Sequence, residues 1–273
     1  MEGFFYSSVK DIQSKYWKSF LNRGFLFNEN YFTTMISLDG HLVFEDHHRH
    51  RLQKTLDFMK AKNSSDKVSE IFNVCHHDMY EVMGLLDDLY IRINLYRSLE
   101  GDIEYFIWSE KKSPDCSELT LKTIPYYPNR NYPPFIKKAD YDIAFHKRSS
   151  AKNEGFDDVL LLDENDKVLD LATSNIVFFK EETCIYSPLI PGVFDGICFS
   201  VYLDFLRQGT TPMECREIMK NEISSFDCAI ALNSFSGPRA ICKIDDVEYN
   251  LVKADTLIDE FYKHIGFRWK ERK

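Results

Sequence analysis

Ile91, Ile93 and Leu95 alternate with Arg92, Asn94 and Tyr96, the period-two pattern of a half-buried strand. Phe32 to Leu38 is rich in strand formers and runs into Asp39-Gly40, a two-residue hairpin signal, so His41 to Phe44 is expected to return as the paired strand. The period then changes. Leu52, Leu56 and Met59 recur at helical spacing behind Asp46, which is expected to cap the helix. Leu119 to Ile124 reads as a further strand. Past residue 156 short apolar runs follow one another: Val159–Asp163, Val168–Ala172, Asn175–Phe179 and Cys184–Tyr186. Their links suit successive strands of an antiparallel or mixed sheet. From Gly196 a helix is expected, with Ile197, Val201 and Phe205 as its stripe and Tyr202 with Leu206 beside it, and Ala254–Tyr262 gives a last helix. The pattern is a mixed α/β (α+β) one.

Two stretches break the pattern. Glu110 to Asp115 is polar and carries Pro114, and reads as the connection between two domains. Pro125 to Pro134 holds Pro128 and Pro133 as well, with Tyr126, Tyr127, Arg130 and Tyr132 among them, a stiff loop carrying recognition-type side chains.

Composition narrows the classes. Apolar residues are 44% of 273 and include 22 Phe and 15 Tyr, enough to fill a core, which excludes intrinsic disorder. Lys and Arg number 34 against 43 Asp and Glu, a net charge of −9 with no basic block, so nucleic-acid binding through phosphates is not expected. No apolar run approaches the roughly 20 residues of a membrane helix, and no signal peptide is visible. The seven cysteines are odd in number and lack a CxxC pair, which fits reduced thiols in a cytoplasmic protein. His47, His48 and His50 have no further ligand at zinc spacing, so no metal is expected.

An ordered set of short segments carries the chemistry. Phe32-Thr33-Thr34, Asp39-Gly40 and His48-x-x-Arg51-Leu52-Gln53 stand in the first half. Ile136-Lys137, Asp157-Asp158, Asn175, Tyr186-x-Pro188 and Gly196-Ile197 stand in the second. In this order they resemble the fold-type IV pyridoxal-phosphate enzymes, a family that holds branched-chain and D-amino-acid aminotransferases and 4-amino-4-deoxychorismate lyase.

The resemblance implies two domains with pyridoxal 5'-phosphate between them: a smaller one over 1–112, a connecting strand and loop over 113–135, and a larger one over 136–273. It also implies a homodimer acting on a small amino-acid-like substrate. By it Lys137 is the lysine that condenses with the cofactor aldehyde. Its neighbour Lys138 is the residue it could be confused with, because an extended segment points the two to opposite faces. Arg51 matches the phosphate-binding arginine, whose paired donors suit phosphate oxygens. Asp170 stands where the family usually has a glutamate facing the ring nitrogen, one methylene shorter. Ile197 and Cys198 fall on the phosphate-binding helix turn, with Cys198 and Phe199 where threonine and arginine are usual. Ser234, after Asn233, matches a second phosphate contact. Arg97, Tyr126 and Arg130 are the possible substrate contacts. The implied activity is that of the lyase or of an aminotransferase, and the substitutions at 140, 170, 198 and 199 also admit an inactive relative kept for binding.

Overall fold

The computed structural model describes residues 22–83 and 88–269. A short helix, α1 (Arg23–Phe27), leads into β1 (Asn30–Leu38) and β2 (His41–Leu42). Asp39 and Gly40 between them both take positive φ (47° and 81°), the backbone that a two-residue hairpin of native twist requires. The returning strand stops at Leu42, short of the expected Phe44. Phe44 turns left-handed (φ 56°) and its carbonyl accepts the N–H groups of His47 and His48, so it is the backbone cap of α2 (Glu45–Phe58). Asp46 therefore does not cap the helix; it lies inside the first turn beside Glu45, where negative charge suits the helix dipole.

The chain continues through α3 (Ser64–Met83), β3 (Leu89–Arg97) and β4 (Ile103–Lys111). The first sheet is antiparallel in the order β2-β1-β3-β4. One face of it, Met35, Ile91, Ile93 and Leu95, packs on Leu52, Leu56, Ile71 and Phe72 of the two helices. On the other face of β1, Ile36 joins Leu38 and Val43 in the core of the second half of the chain. Glu110 and Lys111, expected in a linker, end β4; the irregular residues are 112–118. We propose that stretch as the division between the two parts, since β5 (Leu119–Pro125) already pairs within the second sheet.

That sheet comprises β5, β6 (Asp158–Leu162), β7 (Val168–Leu171), β8 (Asn175–Lys180), β9 (Thr183–Tyr186), β10 (Met213–Cys215), β11 (Cys228–Asn233), β12 (Gly237–Ile244) and β13 (Val247–Glu248). Its order is β10-β9-β8-β11-β12-β5-β6-β7, with β13 paired to β12. It is mixed, with β5 parallel to both of its neighbours.

The order forces a curl. β7 and β8 are separated by four strands, about 24 Å in a flat sheet, yet the link from Leu171 to Asn175 can span at most about 14 Å. The sheet bends round until its two regions meet. Its concave side closes on Leu121, Leu160, Ile176, Phe178, Ala229 and Ile241, drawn from strands all along the order. Its outer side is covered by α4 (Asp142–Asn153), α5 (Ile197–Gln208) and α6 (Leu251–Ile265). The strands β6 and β8 are therefore apolar on both faces, which explains their unbroken hydrophobic runs. On α5 the buried residues are Ile197, Cys198, Phe199, Tyr202, Leu203 and Leu206, so the expected Ile197, Tyr202 and Leu206 are in the core while Val201 and Phe205 sit at its margin.

Inside the curl, the Phe178 ring stacks against Phe226 (centroids 4.7 Å apart) and faces Tyr249 at 6.5 Å. Replacing it removes the centre of that cluster. Phe178→Ala is expected to lower the unfolding free energy by about 3–5 kcal/mol, read by urea denaturation. A loss under about 1 kcal/mol would mean that the curled sheet does not close on this ring.

Candidate active site

Because β2 is only two residues long, the N-terminal half of β1 keeps an open edge. Residues 137–139 take it: Phe32 N–H donates to the Lys137 carbonyl (2.8 Å), Ala139 N–H donates to the Asn30 carbonyl (2.9 Å), and Tyr31 bridges to Lys138. Both lysines reach the wall of one cavity, but this extended pairing gives them different partners. Lys138 has Asp140 at 4.0 Å and the Tyr132 ring at 5.7 Å. Lys137 has no hydrogen bond or ion pair among the described residues. Its Nζ instead lies over three rings, Phe194 at 4.9 Å, Phe32 at 5.2 Å and Tyr141 at 5.9 Å. Burial, and then the cations Arg51 and Arg92, push its pKa down to about 7, against the pull of Asp170.

The short link between β7 and β8 supplies the opposite wall. Asp170 Oδ1 accepts from Asn175 Nδ2 (2.9 Å) and its Oδ2 accepts from the Phe194 N–H (2.9 Å). Burial raises its pKa to about 7, outweighing the two hydrogen bonds and Lys137, which favour the carboxylate. Asn175 Nδ2 also donates to the Phe194 carbonyl, and its Oδ1 would lie 1.9 Å from any Cβ at position 196. Only glycine fits there.

Gly196 is the N-cap of α5 and brings no side chain to the first turn, so Ile197 and Cys198 present that turn to the cavity. Cys198 is buried, which pushes its thiol pKa up, and its sulfur faces the Asn233 N–H. Arg51 is enclosed beside the same turn, donates to the Asp195 carbonyl and lies 4.7 Å from the Phe194 ring centre. Burial lowers its pKa to about 10, which leaves it charged at neutral pH. One helical turn before it, His48 shares a 2.7 Å hydrogen bond with Thr33 Oγ1 and is held well below its ordinary pKa, first by burial and then by Arg51.

A single cavity collects Lys137, Asp170, Arg51, Ile197, Cys198, Ser234 and Tyr126 on its wall. Two expected residues do not line it. Arg97 is engaged elsewhere, with Glu29 (3.0 Å) and the carbonyls of Gly101 and Met59. Arg130 pairs with Glu164 (3.1 Å) and Asp163 (3.4 Å). The paired acids are also committed: Asp157 accepts from the Thr120 backbone and hydroxyl, and Asp158 faces Arg148 at 3.4 Å. Sequence reasoning missed Tyr141, Arg92 and Phe194. Tyr141 could have been found, being four residues past Lys137 at the N-cap of α4. The other two arrive from distant segments with no local signal.

The cavity thus has an amine at one side, a carboxyl at another, and donors suited to an anion around α5. The chain matches the model of the class IV amino-transferase family over residues 30–244, and it belongs to that family. Among curated proteins it is 28% identical to a probable branched-chain-amino-acid aminotransferase of Rickettsia bellii over 130 residues. That match covers 46% of this chain and 45% of the relative, so it spans less than half of the relative's length. Among solved structures, the branched-chain aminotransferase of Escherichia coli superposes with a TM-score of 0.78 at 13% identity, covering 93% and 90% of the two chains. A putative 4-amino-4-deoxychorismate lyase of Legionella pneumophila gives 0.75 at 16% identity, over 88% and 94%. A hypothetical aminotransferase of Mycobacterium tuberculosis in its pyridoxal-phosphate-bound form gives 0.77 at 12% identity, over 94% and 95%. At these identities the likeness shows the fold: two curled sheets shared with fold-type IV aminotransferases.

The depressed amine has a thermodynamic consequence. Unfolded, Lys137 holds its proton up to its ordinary value of 10.5; folded, only up to about 7. The unfolded chain therefore carries the extra proton between those values, and the stability owed to this group rises with pH across that window. Lys137→Met is expected to be more stable than the parent, with the gain largest at or below pH 7 and fading toward pH 10.5. Denaturation at pH 6 and pH 10 measures it; a larger gain at pH 10 contradicts the burial of the amine.

Proposed function

We propose that this chain is a pyridoxal-phosphate-dependent enzyme of the aminotransferase type, acting on an amino acid through Lys137. The observation that carries this reading is the Lys137 amine: unpaired among the described residues, lying over three rings, with a pKa brought near neutrality, in one cavity with a carboxyl and a candidate anion seat. The donor set fits the cofactor. Arg51, the first turn of α5 at Ile197 and Cys198, and Ser234 would hold its phosphate. Asp170 would give the ring nitrogen a carboxyl partner, and Lys137 would meet the aldehyde. When bound, pyridoxal phosphate supplies that aldehyde and an electron-withdrawing ring that accepts the electron pair left by a departing α-proton.

The chain's own residues do the rest. With a pKa near 7, Lys137 Nζ is present in comparable amounts as amine and ammonium at neutral pH, so it can attack a carbonyl and can take and return a proton. Asp170 is fixed by the Asn175 and Phe194 donors, so it cannot swing away as charge develops nearby. Tyr141, whose burial pushes its hydroxyl pKa up, stays protonated on the cavity wall and can donate a hydrogen bond. Of the substrate contacts expected from sequence, Tyr126 is on the wall and is assigned to the substrate; Arg97 and Arg130 are not. The reading includes a homodimer in the cytoplasm, supported by the family resemblance and by an odd number of cysteines with no CxxC pair. Among the described residues no helix is long and apolar enough to cross a membrane.

The lysine is tested by reductive trapping. Pyridoxal phosphate followed by borohydride is expected to label the Lys137 peptide; Lys137→Ala abolishes the label and Lys138→Ala keeps it. A protein that stays colourless and unlabelled is the inactive binding relative. The activity is tested separately. Leucine or D-alanine with 2-oxoglutarate is expected to yield glutamate and the matching keto acid. If 4-aminobenzoate from 4-amino-4-deoxychorismate is the sole product found, the activity is the lyase's and the aminotransferase assignment is wrong.

A further inference from the structure

The surroundings of the Lys137 amine are more specific than burial alone would produce. Phe32 comes from β1, Tyr141 from the residue before α4, and Phe194 from the turn before α5. Three elements far apart in sequence each bring a ring to within 6 Å of one nitrogen. None of them brings it a hydrogen-bond acceptor. The negative face of an aromatic ring attracts an ammonium but offers little to a neutral amine.

The charged groups around the nitrogen pull in opposite directions. Arg51 from α2 and Arg92 from β3 disfavour the ammonium, and Asp170 from β7 favours it. Lys138 and Asp140 beside it in the chain are turned toward each other, and His48 behind it is held neutral by its low pKa. Arg92 lies 3.7 Å from the centre of the same Phe32 ring, and Arg51 lies 4.7 Å from that of Phe194. Two of the three rings therefore contact both the lysine and an arginine. Two cations and desolvation act against protonation, one carboxyl not in ion-pair contact acts for it, and the three ring faces add an attraction of their own for the ammonium.

We propose that Phe32, Tyr141 and Phe194 form a cation cage that positions the ammonium form of Lys137 and sets the pH at which this side chain changes from proton carrier to nucleophile. The proposal rests on the assignment of Lys137 as the reacting amine, but the cage belongs to the chain alone and is measurable without cofactor. Phe194 is the ring to change first. Its tie to Asp170 runs through its backbone N–H, which Phe194→Leu retains.

The experiment follows the trinitrophenylation of Lys137 in the cofactor-free protein against pH, by peptide mass spectrometry. The parent is expected to titrate near pH 7. Phe194→Leu lowers the midpoint by about one pH unit, the size of one desolvated ring contact, so the amine reacts several-fold faster at pH 6. Tyr141→Leu lowers it as well. Tyr141→Phe keeps the ring and leaves the midpoint within a few tenths of a unit of the parent, an ordering that a merely structural role would not produce. Midpoints unmoved or raised in both leucine variants overturn the cage. Shifted midpoints in a protein that fails to trap pyridoxal phosphate sink the functional assignment and leave the cage standing. Trapping with unmoved midpoints does the reverse.

Discussion

Taking an amine out of water without giving it an acid to pair with disfavours its charged form, and the arrangement around Lys137 answers to that constraint. The main chain at 137–139 is clamped onto the free edge of β1, so the side chain cannot retreat to solvent by local backbone motion. The cations Arg51 and Arg92 add to the cost of protonation, Asp170 subtracts from it, and in the cage proposed above the three ring faces do too. Near neutrality the two sides balance. A lysine poised in this way has both of its chemical forms available at once, which a surface lysine, protonated until about pH 10, does not.

The same constraint reaches into the fold. Asp170 and Asn175 belong to different strands, and their contact exists because the second sheet curls until β7 runs into β8 across three residues. Asn175 then fills the space over Gly196 and sets where α5 begins. The head of α5, proposed above as the anion seat, and the carboxyl at the end of β7 are thus one unit, tied through the Phe194 main chain. The first half of the chain contributes from the opposite side, with Arg51 on α2 reaching the Asp195 carbonyl. The cavity lies where the two sheets face each other because neither carries both the amine's clamp and the carboxyl's.

Much of this was legible in the residues. The Asp39-Gly40 turn, the strand runs beyond residue 156 and the order of the short segments depend on local chemistry, and local chemistry is what a sequence displays. What was not legible depends on contacts between distant segments. The helix over Ser64–Met83 and the strand over Ile103–Lys111 carry mixed polar faces whose cover only tertiary packing defines. Asp46 looked like a cap, but the Phe44 backbone had already turned left-handed to do that work. On α5 the expected Tyr202 and Leu206 are in the core but Val201 and Phe205 lie at its margin, since the helix is buried against the sheet and α6 together. Arg97 offered the right chemistry in the wrong place; its guanidinium ties α1's exit, α2's end and the turn after β3.

The substitutions at the head of α5 bear on whether the cavity is worn out or merely different. An arginine replaced by phenylalanine would leave a hole in the cavity if that side chain had pointed into it. Phe199 does not line the cavity: it is buried in the core and meets the Tyr186 ring edge-on at 5.7 Å. Its bulk supports the turn from behind. Cys198 does face the cavity, and a thiol is a weaker donor than a hydroxyl, but the donors that a helix N-terminus offers belong to its backbone and survive any side-chain change there. What the turn needs is a residue at 196 without a Cβ, so that Asn175 can lie against it, and that residue is present. The changes thus fall on side chains that the proposed anion seat can spare, while the groups that fix the amine, the carboxyl and the guanidinium are intact.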